Sequence, residues 1–291
     1  MTKLHQYRGR FAPSPTGPLH FGSLVTALAS YLEAKSVNGQ WLVRIEDLDP
    51  LREPPEATGE ILSSLDAHGL IPDEPVRFQS HRHTAYQAAI EQLLKTGIAY
   101  PCSCSRKQLQ AHQGRHPQHC RDGGRATKNQ PFAVRFALSD ELCQWQDLLL
   151  GRQQQLVQAE IDDPVILRKE GFFAYQLAVV VDDIDQGITD VVRGSDLLDM
   201  TAQQLQIYRA LSAPPPRWLH IPVIVNEQGQ KLSKQNHAPA LDNRSPVENL
   251  FAALSALNQQ PPQSLLRESV DNLLDWGCTH WNRRAVHLTS Q

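Results

Sequence analysis

The sequence has no long hydrophobic run and no leader-like start. No apolar stretch approaches the roughly 20 residues that are needed to span a bilayer. The segment from Met1 to Gly9 is polar and has neither the apolar core nor the small-residue cleavage site of a signal peptide. We therefore expect a cytoplasmic protein that makes no membrane contact.

Cysteine and excess charge are also scarce. The five cysteines in 291 residues are an odd number, which fits a reducing compartment better than a disulfide framework. A net charge of −3 at pH 7 gives no overall attraction to nucleic acid. Any contact with nucleic acid must then be local, for example through Arg121, Arg125 and Lys128.

The N-terminal part has the pattern of a βαβ unit. Tyr7 to Ala12 predicts a short buried strand, the apolar residues from Leu24 to Leu32 recur at helical spacing, and Trp41 to Ile45 predicts a second strand. Such a unit is typical of an α/β fold with a Rossmann-like parallel sheet, whose ligand binds at the strand ends beside the first helix.

The loop inside this unit, "RFAPSPTGPLHFGS", suits an anionic ligand. Its prolines fix the backbone and its glycines allow a ligand to come close, so the loop presents His20 and the N–H groups at the helix start. A nucleotide phosphate fits this description. The plain alternative is a proline-rich connector in which His20 only caps the helix.

A second short segment, "KLSKQ", follows an apolar strand late in the chain. Its two lysines, Lys231 and Lys234, can neutralise a pyrophosphate leaving group as charge develops on it. Taken alone, a short loop of lysine and serine is more often a solvated surface turn.

The composition changes after residue 98. We expect residues 1–98 and 191–240 to form the two halves of the nucleotide-binding domain, 99–190 an inserted subdomain, and 241–291 a short helical C-terminal part. The insertion is predicted to have hairpin character, with alternating segments "FAVRFAL" and "VILRKEGFFAYQLAVVVDD" and a turn at Glu170-Gly171.

The insertion begins with a cysteine cluster. Cys102-x-Cys104, followed by His116-x₃-Cys120, offers enough ligands for a closed tetrahedral structural zinc site. The alternative is three reduced cysteines in an apolar insertion. Two further histidines compete with His116 as the fourth ligand: His112 and His119.

"HFGS" and "KLSKQ" together resemble the paired signatures of the class I aminoacyl-tRNA synthetases, in which both sequences hold ATP. Further blocks resemble the glutamate-activating branch, the glutamyl-tRNA synthetase family, in order from about Tyr7 to Ala240. These blocks are "GRFAPSPTGPLHFGSL", "RIEDLDP", "FAYQLAVVVDD" and "VVRGSDLL". The resemblance implies a ligase that uses glutamate and ATP with Mg²⁺.

The stretch after Lys234 is too short for the helical anticodon-binding region of a full glutamyl-tRNA synthetase, so we expect no anticodon-binding domain. The short chain and "KLSKQNHAPAL" are similar to the paralogues in this family that activate glutamate without tRNA. Those enzymes place it on the cyclopentenediol of queuosine in the anticodon loop of tRNA(Asp). The main alternative is a compact synthetase that charges a tRNA 3′ end. Weaker alternatives are a paralogue that only binds tRNA or an amino acid, and a small-metabolite adenylyltransferase.

The resemblance also implies roles for individual residues. A glutamate pocket would be formed by Arg10, Phe11, Ala12, Pro13, Ser14, Glu46, Tyr175 and Arg193. ATP would be bound by His20, Gly22, Lys231 and Lys234, among which the catalytic residues are His20, Lys231 and Lys234. One structural zinc per chain would be held by Cys102, Cys104, His116 and Cys120.

The sequence departs from the ideal signatures at a few positions. Ser23 stands where the last histidine of the HIGH pattern is expected, which removes one phosphate-facing imidazole. In the lysine loop, Leu232 replaces methionine and Gln235 replaces serine, whereas both lysines are kept.

Several acidic residues are expected in structural roles. We predict helix-capping and turn positions for Asp47 and Asp49. A turn, rather than a metal site, is predicted at Asp182, Asp183 and Asp185. Nothing in the sequence indicates an obligate interface, so a monomer is expected.

Overall fold

The computed structural model describes residues 6–111, 120–121, 131–157, 162–225 and 239–286. Ten strands are found in these residues: β1 (Arg8–Phe11), β2 (Gln40–Ile45), β3 (Arg77–Phe78), β4 (Ala99–Cys102), β5 (Ala133–Phe136), β6 (Leu142–Asp147), β7 (Gly151–Leu156), β8 (Val165–Leu167), β9 (Asp190–Gly194) and β10 (Arg217–Ile221). The α-helices of the same residues are α1 (Phe21–Lys35), α2 (Ala57–Ala67), α3 (His83–Lys95), α4 (Arg106–Ala111), α5 (Tyr175–Asp185), α6 (Thr201–Ala210), α7 (Pro246–Ala256) and α8 (Val270–His280).

The main sheet has seven strands in the order β3-β2-β1-β9-β10-β6-β7. Its pairs are parallel except for the antiparallel pair β6–β7. The strand order runs outward in both directions from β1 and β9, which makes their junction a topological switch point. The predicted α/β class with a mostly parallel, Rossmann-like sheet is confirmed.

The first βαβ unit is formed where the sequence predicts it. Helix α1 begins directly after His20 and ends at Lys35, and Asn38 beyond it adopts a left-handed conformation with φ 54°. Asparagine tolerates this conformation better than most residues, so "NG" turns the chain into β2. Leu24, Leu28 and neighbouring residues of α1 are fully buried against the sheet.

Two strands from the segment predicted as an insertion belong to the main sheet. Strands β6 and β7 extend it beyond β10, whereas β4, β5 and β8 form a separate antiparallel sheet. The proposed domain boundaries remain a prediction. The pairing shows that residues 142–156 contribute directly to the sheet that carries the cavity described below.

Within "VILRKEGFFAYQLAVVVDD", the predicted turn at Glu170-Gly171 is present and Leu167 forms an antiparallel bridge with Phe173, but the rest of the expected hairpin is wrong. Only Val165–Leu167 is a strand, and Tyr175–Asp185 is the helix α5. This helix packs against α3 and α6, and its residues Leu177 to Val180 are buried. Burial on more than one side produced the continuous apolar run that indicated a strand.

The C-terminal part is helical, as predicted, and its helices α7 and α8 pack on α1. Glu33 of α1 accepts a hydrogen bond from the Trp281 indole and pairs with Arg283. None of the helices within the described ranges combines the length and the apolar character that a membrane span needs.

Candidate active site

A cavity of about 510 Å³ opens at the carboxyl edge of the main sheet. It lies at the switch point between β1 and β9, where open α/β sheets bind their ligands. The predicted glutamate-binding and ATP-binding residues that line it are Arg10, Phe11, Ala12, Pro13, Ser14, His20, Gly22, Glu46, Tyr175 and Arg193.

The proline-rich loop forms one wall of the cavity. Gly17 has a φ of 143°, in a region that side chains rarely adopt, so the turn favours glycine there. The carbonyl of Pro13 accepts a hydrogen bond from the Glu46 N–H at 3.0 Å, which ties the loop to the end of β2. The loop is therefore held against two strand ends.

His20 caps α1 and also lines the cavity. Its Nδ1 accepts a hydrogen bond from the Ser23 N–H at 3.2 Å, so the capping interpretation describes the geometry correctly. A neutral ring that accepts at Nδ1 carries its proton at Nε2. That nitrogen lies 3.1 Å from the Ser23 hydroxyl. With this tautomer the Nε2–H donates to the Ser23 hydroxyl, so both ring nitrogens bond to Ser23 while the ring lines the cavity wall.

Gly22 and the start of α1 complete this wall. A Cβ at Gly22 would lie 3.2 Å from the His20 ring, so a side chain there would press on the imidazole. The first turn of α1 carries no acidic residue, which leaves the positive end of the helix dipole available to an anion. The hydroxyl of Ser23 occupies the position of the expected second imidazole.

Arg10 is a buried cation at the floor of the cavity. Its Nε and Nη2 donate to the Asp183 carboxylate at 3.0 and 3.3 Å. Arg44, fully buried on β2, donates to the same carboxylate at 2.7 Å. Although burial alone would raise the pKa of Asp183, the two arginines hold it below its ordinary value. One carboxylate on α5 therefore orients two arginines from two strands.

Glu46 is a buried acidic residue that lines the cavity. Its side chain is buried, and its Oε1 has no hydrogen-bond partner among the described residues. The nearest cation, Arg44 Nη2, lies 3.8 Å away. Burial raises the pKa of Glu46 to about 7 in spite of Arg44 and Arg10. A buried carboxylate oxygen without a partner fits a positively charged ligand group.

Arg193, at the end of β9, is held by three neutral side chains. Its Nε donates to His220 Nε2 at 2.9 Å, its Nη1 to Gln204 Oε1 at 2.8 Å, and its Nη2 to Thr201 Oγ1 at 2.8 Å. Tyr175, the first residue of α5, is a further neighbour. None of these three bonds neutralises the guanidinium, so its charge remains available to a carboxylate in the cavity.

The acidic residues predicted to lie in a turn are instead in helix α5. Asp182 accepts hydrogen bonds from the Gln79 amide at 2.9 Å and the Tyr86 hydroxyl at 2.6 Å. Asp183 binds the two arginines, and only Asp185 is exposed. The prediction of a turn is wrong because this helix turns its polar side toward buried arginines. No metal is needed to explain these carboxylates.

Asp47 and Asp49 lie outside any helix. Asp47 accepts hydrogen bonds from the Ser80 N–H and hydroxyl, and Asp49 closes a turn with Arg52. The predicted turn role therefore holds for Asp49. Asp47 links the end of β2 to the segment that follows β3.

Three of the four predicted zinc ligands lie together. The Sγ atoms of Cys102, Cys104 and Cys120 are within 4.8 Å of one another and are buried. Lys169 donates to the carbonyls of Ser103 and Cys104 and so fixes the backbone of this segment. The fourth predicted ligand, His116, and its alternatives His112 and His119 lie outside the described residues. So do Lys231 and Lys234 of the lysine loop.

Comparisons with known proteins identify the family. Residues 6–249 match the family described as tRNA synthetases class I (E and Q), catalytic domain. A glutamyl-Q tRNA(Asp) synthetase of Photobacterium profundum is 48% identical over 281 residues, which cover 97% of this chain and 90% of that protein. Its counterpart in Pseudomonas aeruginosa is 49% identical over 280 residues, 96% of this chain and 95% of that protein. This chain belongs to the glutamyl-Q tRNA(Asp) synthetase family.

The fold of this chain is also similar to that of a solved structure. The glutamate-tRNA synthetase of Elizabethkingia anophelis superimposes with a TM-score of 0.80 at 26% identity. The match covers 97% of this chain and 67% of that one. The protein is thus a class I synthetase-type ligase, and the cavity at the switch point is its candidate active site.

Proposed function

We propose that this chain activates L-glutamate with ATP in the absence of tRNA and then transfers the glutamate to the queuosine cyclopentenediol in the anticodon loop of tRNA(Asp). The observation that carries the proposal is the charge pattern of the cavity, in which Glu46 and Arg193 face the same space. The names of the family members support the tRNA substrate.

The cavity offers a partner for each charged end of glutamate. Arg193 suits the side-chain carboxylate, because a guanidinium can pair with a carboxylate through two hydrogen bonds, and Arg10 adds positive charge at the floor of the cavity. Glu46 suits the α-ammonium, and the Tyr175 hydroxyl adds a directional hydrogen bond. The backbone from Phe11 to Ser14 closes the pocket beside them.

The activation step joins glutamate to ATP, which arrives with Mg²⁺. The α-carboxylate attacks the α-phosphorus and pyrophosphate leaves, so negative charge builds on the leaving group. His20, Gly22 and the α1 N-terminus would hold the phosphates, and Lys231 and Lys234 would stabilise the departing pyrophosphate. A queuosine hydroxyl then attacks the acyl carbon of the mixed anhydride, the bond from that carbon to the phosphate oxygen breaks, and AMP leaves as the hydroxyl loses its proton. This step requires proximity and no covalent enzyme intermediate.

Pyrophosphate exchange with glutamate, glutamine and aspartate in the absence of tRNA tests the activation step. We expect exchange with glutamate alone. Transfer is then measured on queuosine-containing tRNA(Asp) whose terminal ribose has no free hydroxyl, with queuosine-free tRNA(Asp) as the control. Glutamate acceptance only by an intact 3′ end would instead identify a compact glutamyl-tRNA synthetase.

Replacement of Lys234 tests the role of the lysine loop. We expect Lys234→Ala to depress glutamyl-adenylate formation by more than about tenfold, because the pyrophosphate loses a positive charge in the transition state. Lys95→Ala, an exposed lysine at the end of α3, is the matched control and should leave exchange unchanged. Near-normal exchange in Lys234→Ala would overturn the assigned role.

We also propose that the Cys102, Cys104 and Cys120 thiols hold one structural zinc ion, with His116 as the fourth ligand. Three convergent sulfur atoms suit zinc, which favours thiolates in closed tetrahedral sites. The ion would join the end of β4 to the segment at Cys120.

The zinc content of the purified protein tests this assignment. About one ion per chain is expected, and Cys120→Ser should retain only a small fraction of it. Cys278→Ser, which removes a half-buried thiol elsewhere in the chain, should keep the full content. Equal zinc content in the two variants would contradict the site.

For the protein as a whole, we propose a cytoplasmic location and a monomeric state.

A further inference from the structure

A buried relay of three polar side chains connects Arg193 to the interior of the sheet. Asp147 ends β6 and His220 lies on β10, and their exposed fractions are 1% and 0%. The distance from His220 Nδ1 to Asp147 Oδ2 is 2.6 Å, and that from Arg193 Nε to His220 Nε2 is 2.9 Å. Asp147 and His220 are not among the residues that line the cavity. The relay thus ends on Arg193 and does not reach the cavity by itself.

Asp147 and Arg193 together determine which ring nitrogen of His220 carries the proton. The carboxylate of Asp147 accepts only, so the His220 Nδ1 must carry the proton. The Arg193 Nε–H donates only, so the His220 Nε2 must be an acceptor. Thr201 Oγ1, 3.4 Å from the same Nε2, accepts from Arg193 and has its own hydrogen available for the ring. The neutral Nδ1–H tautomer is the form that satisfies all these contacts.

Asp147 is itself fixed by the backbone. Its Oδ1 accepts from the N–H groups of Leu149 and Leu150 at 3.0 and 2.9 Å. Oδ2 therefore faces His220, and the two carboxylate oxygens cannot swap positions. The Asp147 carboxylate therefore has a fixed position at the end of β6, a strand in the segment that is predicted to be an insertion.

We propose that Asp147 and His220 are positioning residues that orient Arg193 for the side-chain carboxylate of glutamate. The proposal rests on the proposed function, because it takes Arg193 as the carboxylate partner. With Nε, Nη1 and Nη2 each bound to a neutral side chain and Tyr175 beside them, the guanidinium plane is fixed. A fixed plane allows paired hydrogen bonds to a carboxylate, and a displacement of about 1 Å can cost on the order of 100-fold in rate.

Two substitutions of His220 separate the positioning role from simple packing. In His220→Gln, the amide oxygen can take the place of Nε2 and accept from Arg193. In His220→Asn, the amide can take the place of Nδ1 and bind Asp147, but nothing accepts from the Arg193 Nε–H. We expect the glutamate KM in pyrophosphate exchange to rise on the order of tenfold or more in the Asn variant and much less in the Gln variant, with the KM for ATP within about twofold.

Asp147→Asn tests the tautomer directly. The backbone N–H groups of Leu149 and Leu150 retain the amide oxygen, so the amide NH₂ faces His220 Nδ1 and forces the ring proton onto Nε2. An amide in place of the carboxylate traps a histidine in the wrong tautomer in this way. The Nε2–H would then face the Arg193 Nε–H. We expect the glutamate KM to rise as in His220→Asn.

Nitrogen-15 NMR of the histidine ring gives a readout that does not depend on activity or on the folding of a variant. In the wild-type protein, His220 should show a protonated Nδ1 and an unprotonated Nε2. A ring protonated at Nε2 overturns the inference, as would equal glutamate KM values in the folded Gln and Asn variants.

Arg193→Lys distinguishes failure of this inference from failure of the proposed function. If Arg193→Lys leaves the glutamate KM unchanged, Arg193 is not the carboxylate partner and the proposed binding mode is wrong. If Arg193→Lys raises that KM while His220→Asn and Asp147→Asn do not, the binding mode stands and the positioning role is wrong.

Discussion

Glu46→Gln is expected to lose about 100-fold in kcat/KM for glutamate and to become more stable at the same time. The loss follows because a charge-assisted hydrogen bond to the α-ammonium is replaced by a neutral one. The gain follows because the cavity no longer holds a buried carboxylate whose Oε1 has no hydrogen-bond partner among the described residues. Pyrophosphate exchange and urea unfolding at pH 8 measure the two effects.

The pH dependence of the stability effect has a definite sign. Burial raises the pKa of Glu46 from its ordinary value of 4.5 to about 7. Below pH 4.5 the group is protonated in both the folded and the unfolded chain, and its favourable contribution is complete. That contribution is lost as the pH rises through 7, where the folded protein must hold the charge. We expect the variant to be about 2 kcal/mol more stable at pH 8 and nearly equal to the wild type near pH 4.

Glu33→Gln is the matched control for glutamate binding. Glu33 is also a buried carboxyl whose pKa is raised by burial, but it contacts Trp281 and Arg283 on the far part of α1. Its substitution should leave the glutamate KM unchanged. A Glu46→Gln enzyme with wild-type glutamate KM would show that the α-ammonium binds elsewhere, and an unchanged free energy of unfolding would show that Glu46 is compensated.

The first βαβ unit could be predicted because its signals are local. Apolar spacing defines α1, "NG" ends it, and the strands on either side are short apolar segments. Helix α5 could not be predicted in this way. Its run from Leu177 to Val181 contains three valines and is buried as far as Val180, and such a run has the same appearance in a core strand as in a buried helix.

The residues of the candidate site also divide into those that could be predicted from the sequence and those that could not. The residues of the proline-rich loop, with Glu46, Tyr175 and Arg193, could be named from the family resemblance, and the structure brings them to one cavity. Their partners could not be named. Arg44 in a buried strand requires a carboxylate, but its partner Asp183 lies 139 residues further along the chain, and only the folded topology selects it.

These partners explain how the fold maintains a site with opposite charges a few ångströms apart. Arg10 and Arg44 share Asp183, whereas Arg193 is held by neutral groups and the Oε1 of Glu46 has no hydrogen-bond partner among the described residues. Asp183 holds Arg10 at the floor of the cavity, and Glu46 and Arg193 line the same space. A zwitterion with a second carboxylate would place its ammonium beside Glu46 and that carboxylate beside Arg193.

Asp183→Asn is expected to destabilise the protein by about 3 kcal/mol, because it leaves two buried guanidinium groups without their shared anion. The Asp183 Oδ1 accepts from Arg10 Nε and Arg44 Nη2, and Oδ2 accepts from Arg10 Nη2 and the Tyr208 hydroxyl. The amide keeps one acceptor oxygen, so the donors on one of these two sides also lose their acceptor. Arg10 is one of the two arginines, and the variant's remaining folded fraction should also bind glutamate more weakly. Urea unfolding at pH 7 measures the change in the free energy of unfolding.

The control for Asp183 lies two residues further on the same helix. The Asp185 side chain is 48% exposed and pairs with Arg77 and Arg82 at the surface. Asp185→Asn should therefore change the free energy of unfolding by less than about 0.5 kcal/mol. Because the arginines hold the pKa of Asp183 below its ordinary value of 3.8, its contribution is complete above that pH and is lost as the pH falls further. The difference between wild type and Asp183→Asn should shrink only in that acidic range, and equal unfolding midpoints for the two asparagine variants at pH 7 would mean that Asp183 does not hold the arginines.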